Sequence, residues 1–174
     1  MRAILIVLTM AVYSNAALLI SPFEAMEQTF ECSKIEKKNT LLSKIEASEV
    51  EKKAKYSLKS KIFRIYRAKC DGVLKGYGIL VSNIVRTKNA AILYMFHPDG
   101  KLESIQVVAF NEPLEFLPSK NWLSQFNDED ELFTLRVGKN VSPISGATLT
   151  ARNVVNGIRV AAAVLEILKK GEKN

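Results

Sequence analysis

The chain reads as α+β: one domain built on a single antiparallel sheet covered by helices, closed by a long C-terminal helix. Three observations predict this. Residues 62 to 110 are strand-like and punctuated by turn signals, while helical patterns flank them on both sides. The last thirty or so residues carry a sustained helical apolar stripe. At 174 residues and 48% hydrophobic content, the chain can bury one real core.

Pro22 to Phe30 reads as a short helix, with Phe23, Met26 and Phe30 at helical spacing. Residues 31–38 are open between strand and irregular chain. Asn39 or Thr40 is the expected cap of a helix running to about Tyr56, with Leu41, Leu42, Ile45, Val50 and Ala54 as its apolar positions. Ile62, Arg64, Tyr66 and Ala68 then alternate with Phe63, Ile65 and Arg67, the period of a strand, up to a turn at Cys70-Asp71-Gly72. Leu74 to Val85 and Ala91 to Phe96 are the next strands. His97-Pro98-Asp99-Gly100 is a tight turn, because proline presets one dihedral and glycine tolerates a positive one. Ile105 to Phe110 completes that hairpin. Pro118 to Phe126 is a short helix carrying Trp122 and Phe126, Asn127 to Glu131 a polar loop, and Leu132 to Val141 a strand or a bridge. In the final helix Val154, Ile158, Ala161, Leu165 and Leu168 form the apolar face, with Arg152, Asn156, Arg159, Glu166 and Lys170 opposite. Lys169 and Lys170 suit its negative end.

The first residues follow another grammar. Arg2 precedes an apolar run from Ala3 to Tyr13, and Ser14-Asn15-Ala16 places small residues at the −3 and −1 cleavage positions. This is the pattern of a secretory signal peptide over residues 1–16, leaving a domain over 22–174. The alternative is a retained membrane anchor over residues 3–20, at the short edge for spanning a bilayer. Either reading exports the domain to the periplasm, free or anchored facing it. Of two cysteines, Cys32 and Cys70, neither lies in a Cys-x-x-Cys or haem-attachment pattern. In an oxidising compartment they read as a disulfide, with two unpaired thiols as the alternative.

Net charge is +7, concentrated between Lys34 and Lys69 but broken by Glu36, Glu46, Glu49 and Glu51. That mixture reads as a solvated helical face; a docking patch for membrane headgroups or an acidic redox protein is the other reading. No interleaved aromatic platform supports nucleic-acid binding. His97, the single histidine, reads as a solvated turn residue, and no histidine or acidic cluster has metal-ligand spacing.

The most informative stretch is Ser145-Gly146-Ala147-Thr148-Leu149-Thr150, placed where the long helix begins. First-turn N–H groups lack intrahelical partners and the helix dipole is positive there, so the terminus favours an anion, phosphate above all. Gly146 and Ala147 allow a bulky group to approach the backbone. Ser145 and Thr150 can donate to phosphate oxygens, and Arg152 stands one turn in. The alternative is an ordinary core helix with Ser145 or Thr148 as N-cap.

Ser145-Gly146-Ala147-Thr148 resembles the flavinylation motif of the FMN-binding domain family. Its relatives include flavin-bearing components of the sodium-translocating NADH:quinone reductase and of the Rnf electron-transfer complex. Asp71-Gly72, Gly76-Tyr77-Gly78 and Val85-Arg86-Thr87 resemble the strand region of small, stand-alone exported members. Ala109-Phe110-Asn111-Glu112-Pro113 and Trp122-Leu123-Ser124-Gln125-Phe126 resemble the segment before the motif. Two positions depart from the family pattern: Ser142 stands where an aspartate is usual, and Asn111 where larger relatives carry a histidine.

The resemblance implies FMN joined to Thr148 by a phosphoester bond, attached by a separate flavin transferase. Ser145, Gly146, Ala147, Leu149 and Thr150 would surround the phosphate, with Glu112, Phe110 and Trp122 as candidates beside the ring. It further implies an electron carrier more than a substrate-turnover enzyme, exchanging electrons with a cytochrome or a membrane electron-transfer complex. Two alternatives stay open: a flavin-dependent reductase module for a small acceptor, and a flavin-free binding or assembly module.

Overall fold

The computed structural model describes residues 17–172. The expected signal peptide lies outside the described residues, as does most of the alternative anchor segment. Six antiparallel strands form one sheet in the order β1-β6-β5-β4-β3-β2: β1 (Ala17–Leu18), β2 (Lys34–Leu41), β3 (Ile62–Cys70), β4 (Val73–Ile84), β5 (Asn89–Phe96) and β6 (Leu102–Phe110). From β2 to β6 the sheet is a meander, and β1 adds itself to the β6 edge. Helices α1 (Pro22–Phe30), α2 (Lys44–Ala54), α3 (Lys120–Leu123) and α4 (Thr148–Glu172) complete the α+β domain.

Strand alternation sorts the core into two layers. Phe63, Ile65, Ile79, Val81, Ile92 and Phe96 meet α2, α4 and the segment 114–141 on one face. Tyr66, Ala68, Leu80, Leu93 and Met95 meet Ala25 and Met26 of α1 on the other. The Cys32–Cys70 disulfide pins the chain just after α1 to the end of β3, with Cα atoms 5.3 Å apart. This bond fits an oxidising compartment. Among the described residues no helix is long and apolar enough to cross a membrane.

Helix α1 begins where expected: Pro22 occupies its first turn and the Ser21 hydroxyl accepts from the Glu24 N–H (3.3 Å). Helix α2 starts later than the sequence reading placed it. Asn39 and Thr40 are not caps but belong to β2, paired with Arg64 and Phe63 of β3. The true start is a capping box, in which Ser43 accepts from Glu46 N–H (3.2 Å) and Glu46 accepts from Ser43 N–H (2.7 Å). Lys34, Lys37 and Lys38 therefore lie on an edge strand, not a helical face, where lysines discourage pairing with another chain. Residues 132–141 form a turn with a Val137–Val141 bridge and no strand.

The largest departure concerns α4, whose middle, from Asn153 to Leu165, is buried nearly all round between the sheet, α2 and the 114–141 segment. Arg159, expected on a solvated face, is 6% exposed. Its guanidinium donates to the Leu135 carbonyl (3.1 Å) and to Asn156 Oδ1, so it pins the irregular segment to the helix. Burial lowers its pKa from the usual guanidinium value. Gly157 allows the closest approach between helix and sheet: a Cβ there would lie 2.0 Å from Tyr94 Oη. That hydroxyl donates to the Val154 carbonyl (3.1 Å).

Candidate functional site

The start of α4 is fixed from three sides. Trp122 Nε1–H donates to the Ser142 carbonyl (2.9 Å), anchoring the chain that enters the helix. Ala147 N–H then bonds back to Ile144 O (3.0 Å) in a turn that needs Gly146 at φ +73°, a left-handed conformation suited to glycine. Asn153 Nδ2 donates to Ile84 O (3.1 Å), tying the first turns of α4 to the end of β4.

The first helical hydrogen bond runs from Ala151 N–H to Ala147 O (3.1 Å), which puts a residue with no side-chain oxygen at the capping position. Helices α1, α2 and α3 each begin on a serine whose hydroxyl accepts from the first turn. At α4 no acceptor among the described residues reaches the amides of Thr148, Leu149 and Thr150. Neither Ser145 nor Thr148 caps the helix; both are exposed, as is Leu149 at 47%. Thr150 is 1% exposed, and its Oγ1 is buried with no hydrogen-bond partner. Arg86, Gly146, Ala147, Thr148, Leu149 and Thr150 line a cleft of about 230 Å³.

Arg86 comes to this cleft through the turn after β4. Val85 N–H bonds to Lys88 O (3.0 Å), and one carboxylate oxygen of Glu112 accepts from the N–H groups of Arg86 (2.9 Å), Thr87 (2.6 Å) and Lys88 (2.8 Å). Glu112 is 6% exposed. The Lys88 and Thr87 amides, with those of Arg86 and its positive charge, hold the Glu112 carboxyl below the usual range and keep it ionised at neutral pH. Four residues on, the Phe116 ring lies 4.4 Å beneath the Arg86 guanidinium. Glu112 thus takes up the backbone of the turn while Phe116 holds its side chain.

No protein-family model, curated protein or solved structure matches the chain.

Three free N–H groups, a positive helix end and a guanidinium meet at one small cleft, and Thr150, whose buried hydroxyl has no partner, is among its lining residues. That donor set suits an anion with several acceptor oxygens. The volume lies below the roughly 300 Å³ at which pockets begin to enclose a whole ligand, a size that suits a head group. Thr148 stands at the rim with its side chain accessible, the placement a modified hydroxyl requires.

The other expected residues separate into distinct roles. Phe110 is 2% exposed in the core, and Trp122 packs edge-on against Phe126 (5.2 Å) while anchoring Ser142. Arg152 is exposed and does not line the cleft. Sequence reasoning passed over Arg86 as a site residue, because nothing local marks an arginine whose partner motif lies sixty positions on. It also missed a grouping of His97, Glu103 and Asp128, whose ligand atoms lie within 4.8 Å of one another. His97 there pairs with Glu103. A cleft of about 450 Å³ between β6 and the α3 region is larger, but the short helix beside it has its first turn capped by the Ser119 hydroxyl.

Proposed function

We propose that this protein is an exported flavoprotein that carries FMN on Thr148 and passes electrons between periplasmic or membrane redox partners. The observation that carries the reading is the Thr150 hydroxyl, buried and unpartnered beside the free first-turn amides of α4, with Thr148 exposed on the same cleft. A phosphate linked to Thr148 Oγ1 would keep a negative charge and at least two acceptor oxygens within reach of these donors. The covalent link would prevent loss of the cofactor outside the cell, which the Cys32–Cys70 disulfide supports as the working compartment. FMN supplies the redox chemistry when bound; the protein contributes attachment, orientation and charge.

The carrier reading is preferred over a reductase module because the site's visible chemistry is attachment and charge, which a tethered electron carrier needs. Glu112 spends one carboxylate oxygen on three backbone N–H groups beside the cleft-lining Arg86. A flavin transferase is required for maturation, and the exchange partner is a redox protein such as a cytochrome or a membrane electron-transfer complex.

The test is the intact mass of full-length protein co-expressed with a flavin transferase and exported, with peptide mapping. The expected result is an increase of one FMN less one water on Thr148, absent from Thr148→Ala, which stays folded. An unmodified mass, with a related domain modified in parallel, would sink the proposal. Flavin retained by denatured Thr148→Ala would move the attachment point.

A further inference from the structure

We propose that Arg86 is the counter-cation of the α4 anion site and makes it selective for a phosphate group over uncharged ligands. The identity of the phosphate bearer, FMN, rests on the reading above; the anion site does not.

Arg86 sits on an exposed turn, where a free arginine samples many rotamers and contributes little to a site. Here the segment 112–116 removes that freedom twice, through the three amide bonds to Glu112 and the stacking of the guanidinium on Phe116. The carboxylate does not neutralise the arginine directly. Glu112 receives the backbone, and among the described residues Arg86 forms no ion pair. A planar fork of donors is left at the cleft, opposite the helix end.

The second, independent observation is Thr150 Oγ1. A hydroxyl buried with no partner is expensive unless something supplies one, and the cleft lined by Thr150 presents the Arg86 guanidinium and the first-turn amides as its charged and unpaired donors. With donors already gathered there, a partner that accepts would complete the set. The several oxygens of one phosphate group can accept from the hydroxyl, the first-turn amides and the guanidinium together, and its negative charge matches the guanidinium and the helix end as a neutral group would not.

The experiment titrates unmodified full-length protein with inorganic phosphate and follows the backbone amide resonances of Thr148, Leu149 and Thr150. Shifts should concentrate on these amides. Arg86→Gln should weaken phosphate binding about tenfold, as expected for loss of one charge-assisted contact. Arg86→Lys should recover part of the affinity, since lysine restores the charge but not the fork. Lys88→Gln, on the same turn but outside the cleft, should change it little.

Equal phosphate affinity in wild type and Arg86→Gln overturns the proposal, as do shifts scattered away from α4 or no saturable shift at all. Failure of the flavin reading looks different. In that case no FMN adduct forms on co-expression with the transferase, yet the phosphate response remains and still depends on Arg86.

Discussion

Thr150→Val gives opposite signs for a hydroxyl kept for a ligand and one kept for the fold. Thr150 is 1% exposed and its Oγ1 has no partner, so folding strips it of water without replacing the hydrogen bond. Such a group costs about 1–3 kcal/mol. Valine keeps the shape and has a similar helix propensity, so the substitution removes the penalty without opening a cavity. Unmodified Thr150→Val should be more stable than wild type by about 1 kcal/mol, read as a higher urea midpoint at unchanged slope. For a chain of this size the melting temperature should rise by about 2–4 °C. Saturating phosphate should reverse the order, because a ligand that binds only the folded state stabilises by an amount that grows with the logarithm of its affinity, and the variant has lost one donor. A Thr150→Val protein less stable than wild type without ligand would refute the reasoning. The hydroxyl would then have a partner in the native fold, and the acceptor-shaped gap would not exist.

Other consequences follow from the packing around the site. Gly157→Ala gains about 1 kcal/mol of helix propensity. It also drives a methyl to within 2.0 Å of Tyr94 Oη; with overpacking at about 1–3 kcal/mol and a lost Tyr94 hydrogen bond, net destabilisation should be about 2 kcal/mol by urea titration. Cys32 and Cys70 are 38 positions apart. Replacing both with serine should cost about 4 kcal/mol in the chain-entropy picture, seen as a urea midpoint insensitive to reductant in the variant alone. Glu112 is held below the ordinary carboxyl range when folded, so its stabilisation is present above the unfolded value of about 4.3 and lost as pH falls through the lower folded value. The stability gap between wild type and Glu112→Gln should therefore stay constant from neutral pH to about 4.3 and narrow below it. A gap that widens on acidification would reverse the assigned sign.

The sheet was legible because its strands bury different sets on two faces, and period-two alternation survives in Ile62 to Ala68 whatever covers each side. Helix α1 was legible through Ser21-Pro22, a local start signal. Helix α2 was misplaced although its signature was present: Ser43-x-x-Glu46 outranks Asn39 and Thr40 as a start, and the preceding lysines hid an edge strand whose pattern is mostly solvated. Arg159 was misread because a helical wheel counts polar residues as outward, whereas here the Leu135 carbonyl comes to meet the guanidinium. Of the candidate site, the hexapeptide was visible because glycine, alanine and two threonines at a helix start are a local pattern. Arg86 was not, since its relation to Thr150 exists only once β4 delivers it to the end of α4.

The rigidity of α4 explains why its open amides can persist. A helix start without a cap ordinarily frays, trading its first turn for solvation. Here fraying would expose Ala147, Thr150 and Ala151, all buried, and break the Asn153 bond to Ile84 O. The far end is held too, with Lys169 donating to Pro98 O (2.7 Å) and Asp99 O (3.1 Å), and Tyr77 Oη donating to Glu172 (2.9 Å). The helix can neither unwind nor tilt to find acceptors, so the unmet donors of Thr148 to Thr150 remain aimed at the cleft. A local rule is broken at one helix terminus while its neighbours obey it, and the surrounding core absorbs the cost. That is the arrangement expected where a ligand, and not the chain, completes the helix start.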